Sequence, residues 1–135
     1  MKVIVVSISL LIIIFIGYLY MNEYKFTEII KEDIHKIDSR NSGSGVLYTT
    51  TDKDLINKFV SKMNSTTYTK RIFSASYVGP TPFILYNVEG QKIGEITFFP
   101  SNLLKINENN YRTKSDIKLK DFIKELYIDK NIVNE

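Results

Sequence analysis

The chain has 135 residues, 18 basic against 15 acidic side chains, a single histidine and no cysteine. Without cysteine there can be no disulfide, no thiolate metal site, no cysteine nucleophile and no lipid-accepting cysteine of the bacterial lipoprotein kind. Setting aside Lys2, which precedes a hydrophobic stretch, 17 basic residues face 15 acidic ones, and their signs alternate along the chain, as in Lys31-Glu32-Asp33 and Lys114-Ser115-Asp116. No long basic face suited to a phosphate backbone is expected from that pattern, and no nucleic acid partner.

The first element is the uncharged run from Val3 to Tyr20, dominated by Ile, Val, Leu and Phe. As a helix it would be roughly 27 Å long, close to the hydrocarbon thickness of a bilayer, so residues 1–21 are predicted to form a transmembrane anchor that meets the lipid bilayer through residues 3–20. Tyr18 and Tyr20 fall where aromatic rings favour the headgroup zone. A cleaved signal peptide would need small residues before the cut. The series Gly17-Tyr18-Leu19-Tyr20-Met21-Asn22-Glu23-Tyr24 is bulky almost throughout, so retention is expected and a secreted, cleaved domain is the alternative. Lys2 and the amino terminus place positive charge on the short side, which points the carboxyl-terminal domain out of the cytoplasm.

Residues 22–32 read as a polar stem, and 33–135 as an extracytoplasmic α+β domain. Asp33–Arg40 and Val46–Thr50 look extended around a turn at Asn41-Ser42-Gly43-Ser44-Gly45. Phe26, Ile29, Ile30, Ile34 and Ile37 also fit a helical stripe, so continuation of the first helix to about Asp38 is the competing reading. Next, Leu55, Ile56, Phe59, Val60 and Met63 recur at helical spacing, with Thr51 expected as N-cap and Asp54 completing a near capping box. Short β-rich segments follow at Tyr68–Phe73, Phe83–Val88, Lys92–Phe99, Leu103–Ile106 and Tyr111–Thr113. They read as an antiparallel meander, turned at Glu89-Gly90, stopped at Pro100 and turned again across Asn107-Glu108-Asn109-Asn110. A second amphipathic helix carrying Leu119, Phe122, Ile123 and Leu126, capped by Ser115 or Asp116, would close the chain. The predicted fold is therefore a small antiparallel sheet packed against two amphipathic helices.

The series Thr49-Thr50-Thr51-Asp52-Lys53-Asp54-Leu55-Ile56, then Phe83-Ile84-Leu85-Tyr86, Glu89-Gly90-Gln91-Lys92-Ile93 and Asn110-Tyr111-Arg112 resembles the small membrane-anchored or lipoprotein-type extracytoplasmic domains of low-GC Gram-positive bacteria. The likeness covers most of residues 33–128. Its motifs are turns and caps, and it implies no catalytic residues. The missing cysteine departs from the lipoprotein members and leaves the helix as the only anchor.

Chemistry-bearing patterns are sparse. His35 lies between Asp33 and Asp38, but a triad would need a nucleophile that the sequence does not offer, and a solvated polar side chain is the expected role. Asp52-x-Asp54 has the spacing of some metal-binding carboxylates, yet it coincides with a helix start, where exposed backbone amides explain acidic residues. Gly43-x-Gly45 and Gly90-x-x-x-Gly94 read as turn residues. The loop around Tyr77, Pro80 and Pro82 is the one connection that could present a contact surface, with a plain mobile hairpin loop as the weightier alternative.

These readings converge on a non-enzymatic interaction module held at the membrane, contacting an envelope protein, polymer or peptide, with no metal and no small-molecule cofactor. A bacteriocin or toxin immunity protein at the membrane is the alternative of a different class.

Overall fold

The computed structural model describes residues 2–40, 45–71 and 82–117. The fold is α+β, an eight-stranded antiparallel sheet with a few helices. The first helix, α1, runs Lys2–Met21. Its side chains are described from Val5 to Tyr18 and at Met21, and the large apolar ones among them are all exposed, from 41% at Ile16 to 80% at Met21. Ser9 donates its hydroxyl to the Val5 carbonyl at 2.9 Å, so the helix satisfies that polar group internally. Among the described residues no helix is long and apolar enough to cross a membrane.

Only Asn22 separates α1 from β1 (Glu23–Tyr24), a two-residue edge strand that is followed by the single-turn helix α2 (Phe26–Ile29). Residues 22–32 are therefore not a stem. Phe26 is 1% exposed and Ile30 6%, and both belong to the core. The competing reading, a helical stripe running on to Asp38, does not hold, because the chain turns into β2 (Lys36–Arg40) within the segment read as extended. Strand β3 (Leu47–Thr50) pairs antiparallel with it, as the hairpin reading required, while the turn residues 41–44 lie outside the described residues.

Helix α3 (Lys53–Asn64) buries Ile56, Phe59 and Met63, with Leu55 and Val60 half-buried beside them. Its N-cap is Asp52, not Thr51. The Asp52 carboxylate accepts from the backbone N–H of Asp54 at 2.8 Å and of Leu55 at 3.2 Å. One residue decides this, because the cap must be the last extended position before the helical turn.

Five strands complete the sheet: β4 (Tyr68–Arg71), β5 (Phe83–Tyr86), β6 (Lys92–Phe99), β7 (Leu103–Ile106) and β8 (Asn109–Thr113). Their order is β1-β4-β8-β7-β6-β5-β2-β3, a β5–β8 meander with β4 laid beside β8 and the β2–β3 hairpin beside β5. The β5–β6 turn is built on Asn87, whose side-chain oxygen accepts from the N–H of Glu89 and Gln91, with Gly90 at φ 78°. The β7–β8 turn is narrower than the four expected residues. It uses Asn107 at φ 53° and Glu108, and leaves Asn109 and Asn110 in β8. Gly94 is not a turn residue; it is buried in β6 under Ile30. The closing helix with Leu119, Phe122, Ile123 and Leu126 lies outside the described residues.

The core is aromatic and sits between α3 and one face of the sheet. Phe59 stacks on Phe83 at 5.9 Å, and Phe26 meets Phe59 edge-on at 6.0 Å and Tyr68 at 6.4 Å. Such pairs add to the area they bury through ring-edge and ring-face complementarity. The Tyr68 hydroxyl donates to the Met63 carbonyl at 2.5 Å, which satisfies a polar group that full burial would otherwise leave stranded.

Candidate functional site

Alternation along each strand places Ile37, Phe83, Leu85, Ile96, Leu104, Ile106, Tyr111 and Tyr68 on the core face, so their neighbours project from the opposite face. The outer face divides into two sectors.

Over β2, β3, β5 and β6 its acidic groups, Asp38 and Glu95, are compensated, while Arg40, exposed at the end of β2, has no ion-pair partner among the described residues. Asp38, 8% exposed, accepts from the Thr49 hydroxyl at 2.8 Å through Oδ1 and faces the Lys36 ammonium at 3.5 Å through Oδ2. The Lys36 ammonium also lies 3.9 Å from the centroid of the Tyr86 ring, where the ring's negative face stabilises it. Farther along, Lys92 pairs with Glu95. Through both oxygens of Asp38 and the Lys36–Tyr86 contact, the cluster fastens the β2–β3 hairpin to β5.

Over β4, β8 and β7 the balance is different. Asn110 stands directly opposite Arg71 on one side and opposite Lys105 on the other, and Arg112, two residues along β8, projects from the same face. Neighbouring strands are about 4.8 Å apart, so Arg71, Lys105 and Arg112 form a triangle around Asn110. Arg71 and Arg112 are exposed and have no ion-pair partner among the described residues. Lys105 has only a loose contact, 3.8 Å to Glu108, whose side chain is 95% exposed. Glu23, opposite Thr69 on the far side of β4, is taken by the Thr67 hydroxyl and by Lys114. Like charges on adjacent strands repel, so this grouping is not one that sheet stability alone favours.

The residues singled out from the sequence lie apart from both sectors. His35 is exposed just before β2, where its backbone N–H donates to Tyr86, and the nearby Asp38 is already occupied. Asp52 and Asp54 belong to the start of α3, and among the described residues no group of three or more His, Asp or Glu side chains could hold a metal ion. Gly45 and Gly90 sit at positive φ, as turn glycines do, and Gly43 lies outside the described residues. Tyr77 and Pro80 also lie outside the described residues; Pro82 is half-buried directly before β5.

The cation triangle escaped the sequence reading because charge was followed along the chain, where signs alternate. The local signal is present in Leu104-Lys105-Ile106 and Tyr111-Arg112-Thr113, where apolar and basic residues alternate, but only strand order brings the segments together. In comparisons with known proteins, no family model, no curated protein and no solved structure matches the chain.

Proposed function

We propose that the chain is a single-pass membrane protein whose sheet domain acts by contact, as a non-enzymatic interaction module displayed outside the cytoplasm. The observation that carries this reading is the exposed apolar surface of α1, joined to the sheet through a single residue. Large apolar side chains between Val5 and Tyr18 point out on every side of the helix, with Val6 67%, Leu11 65% and Ile13 65% exposed. A soluble domain rarely leaves a patch of that size in water, whereas a bilayer removes it from water at a gain of roughly 25 cal/mol per Å². In the sequence the uncharged run reaches from Val3 to Tyr20. Lys2 directly before the apolar run, against the mixed charges of Glu23, Lys25 and Glu28 after it, supports an outward-facing domain.

The contact role is supported by how the polar side chains are used. Asp38 is consumed by Thr49 and Lys36, Asp52 by the α3 amides, and Tyr68 by the Met63 carbonyl. The outer sheet face offers a shaped, charged surface instead.

Membrane fractionation followed by external protease tests both parts. The full chain should pellet with membranes, resist alkaline carbonate, dissolve in detergent and lose its domain to protease added to intact cells. Recovery in the aqueous fraction would overturn the anchor. Protection of the domain in intact cells would reverse its orientation.

A further inference from the structure

We infer that the Arg71–Lys105–Arg112 triangle is a docking surface for anionic phospholipid headgroups of the leaflet from which α1 emerges. This deepens the anchored reading above and rests on it for where the surface lies.

The first support is position. β1 pairs with β4 through Glu23↔Thr69 and Tyr24↔Tyr68, so counting back along that register brings the end of α1, at Met21, level with Arg71. The same row continues through Asn110 to Lys105. With one residue between α1 and the sheet, the row cannot be held far from the plane where the helix leaves the lipid. Extended chain spans at most about 3.6 Å per residue, less than the depth of a headgroup layer.

Charge is the second. The outer face pairs Asp38 and Glu95 in the β2–β6 sector, where Arg40 stands as an isolated cation, and gathers Arg71, Lys105 and Arg112 on the strands beside the anchor. A cation near an anionic membrane surface strengthens association roughly fivefold at physiological salt, and the effect vanishes beyond a Debye length of about 8 Å. Arginine and lysine also match what a phosphodiester offers: two guanidinium forks and one ammonium around an amide that can donate between them. The patch is too small for a polynucleotide and well sized for one or two headgroups.

The test is hydrogen exchange on the full chain, reconstituted in vesicles of phosphatidylcholine alone or mixed with phosphatidylglycerol, with flotation recorded for each. The chain should float with both vesicles, and protection of the β4, β7 and β8 amides should rise several-fold only where phosphatidylglycerol is present. That gain should disappear in Arg71→Gln/Arg112→Gln and at high salt, while the α3 amides keep their protection and report an intact fold. Flotation with both vesicles but equal protection overturns the headgroup surface and leaves the anchor standing. Flotation with phosphatidylglycerol vesicles only, lost in the double variant, supports the surface and overturns the anchor. Flotation with neither overturns both. Protection induced by soluble polyphosphate and not by phosphatidylglycerol overturns the lipid assignment in favour of an anionic polymer.

Discussion

Gly94 and Ile30 occupy each other's space: a Cβ built on Gly94 would stand 2.7 Å from Ile30 Cδ1 and 3.2 Å from Leu85 Cδ1. The absence of a side chain in β6 is what lets the end of α2 close over the sheet. Gly94→Ala should therefore destabilise the domain by about 1 kcal/mol, and Gly94→Val by roughly 1–3 kcal/mol, through overpacking. Removing the colliding methyl with Ile30→Val, itself costing about 0.5–1.5 kcal/mol, should recover most of the Gly94→Ala loss. Urea unfolding of the four chains gives the cycle, and strict additivity would show that the two residues do not share this space.

The cap of α3 offers a sharper discrimination, since neighbouring residues compete for the role. Asp52 accepts from two amides, whereas Thr51 is exposed and outside the helix. Asp52→Ala should cost about 1 kcal/mol and Thr51→Ala less than about 0.5 kcal/mol. The reverse order in thermal unfolding would return the cap to Thr51.

How far the sequence could be read follows from where the information lies. The face of α3 and the strands of the meander were legible because Ile56, Phe59 and Met63, or Leu104 and Ile106, repeat within a few residues at the period of their own element. β1 and α2 were not, because two- and four-residue elements present no period, and Phe26 and Ile30 suit a continuing helix equally well. The neighbours of Arg71 were beyond reach for a different reason. Nothing local states that β4 lies beside β8, since the pairing is decided by burying Tyr68 and Tyr111 together, 6.3 Å apart and edge to face.

The integration of residues 23–30 into the core predicts where the chain can be cut. A chain beginning at Asn22 should retain a cooperative unfolding transition, whereas one beginning at Asp33 should lose it, because Phe26 packs on both Phe59 and Tyr68. Within the full chain, Phe26→Ala should cost about 3–5 kcal/mol, the loss expected of a fully buried aromatic ring. Cooperative unfolding of the shorter fragment, followed by tyrosine circular dichroism, would show that the segment is a tether after all.

Alkaline pH should weaken the fold through two tyrosines. Burial raises the pKa of Tyr68, and burial together with the nearby Tyr24 raises that of Tyr111, both above the ordinary value of about 10. The native state then holds protons that the unfolded chain releases. Their contribution is fully present below about pH 10 and declines as pH rises toward the folded values, by up to about 1.4 kcal/mol per pH unit for each tyrosine. Tyr111→Phe should remove its share of that slope. Tyr68→Phe should remove its share too, and it should lower stability at neutral pH by about 1–3 kcal/mol, because the Met63 carbonyl at the end of α3 loses its donor inside the core. Urea midpoints measured from neutral pH upward separate the two effects: a wild-type curve that stays flat above pH 10 would mean that neither hydroxyl is as deeply held as its surroundings imply.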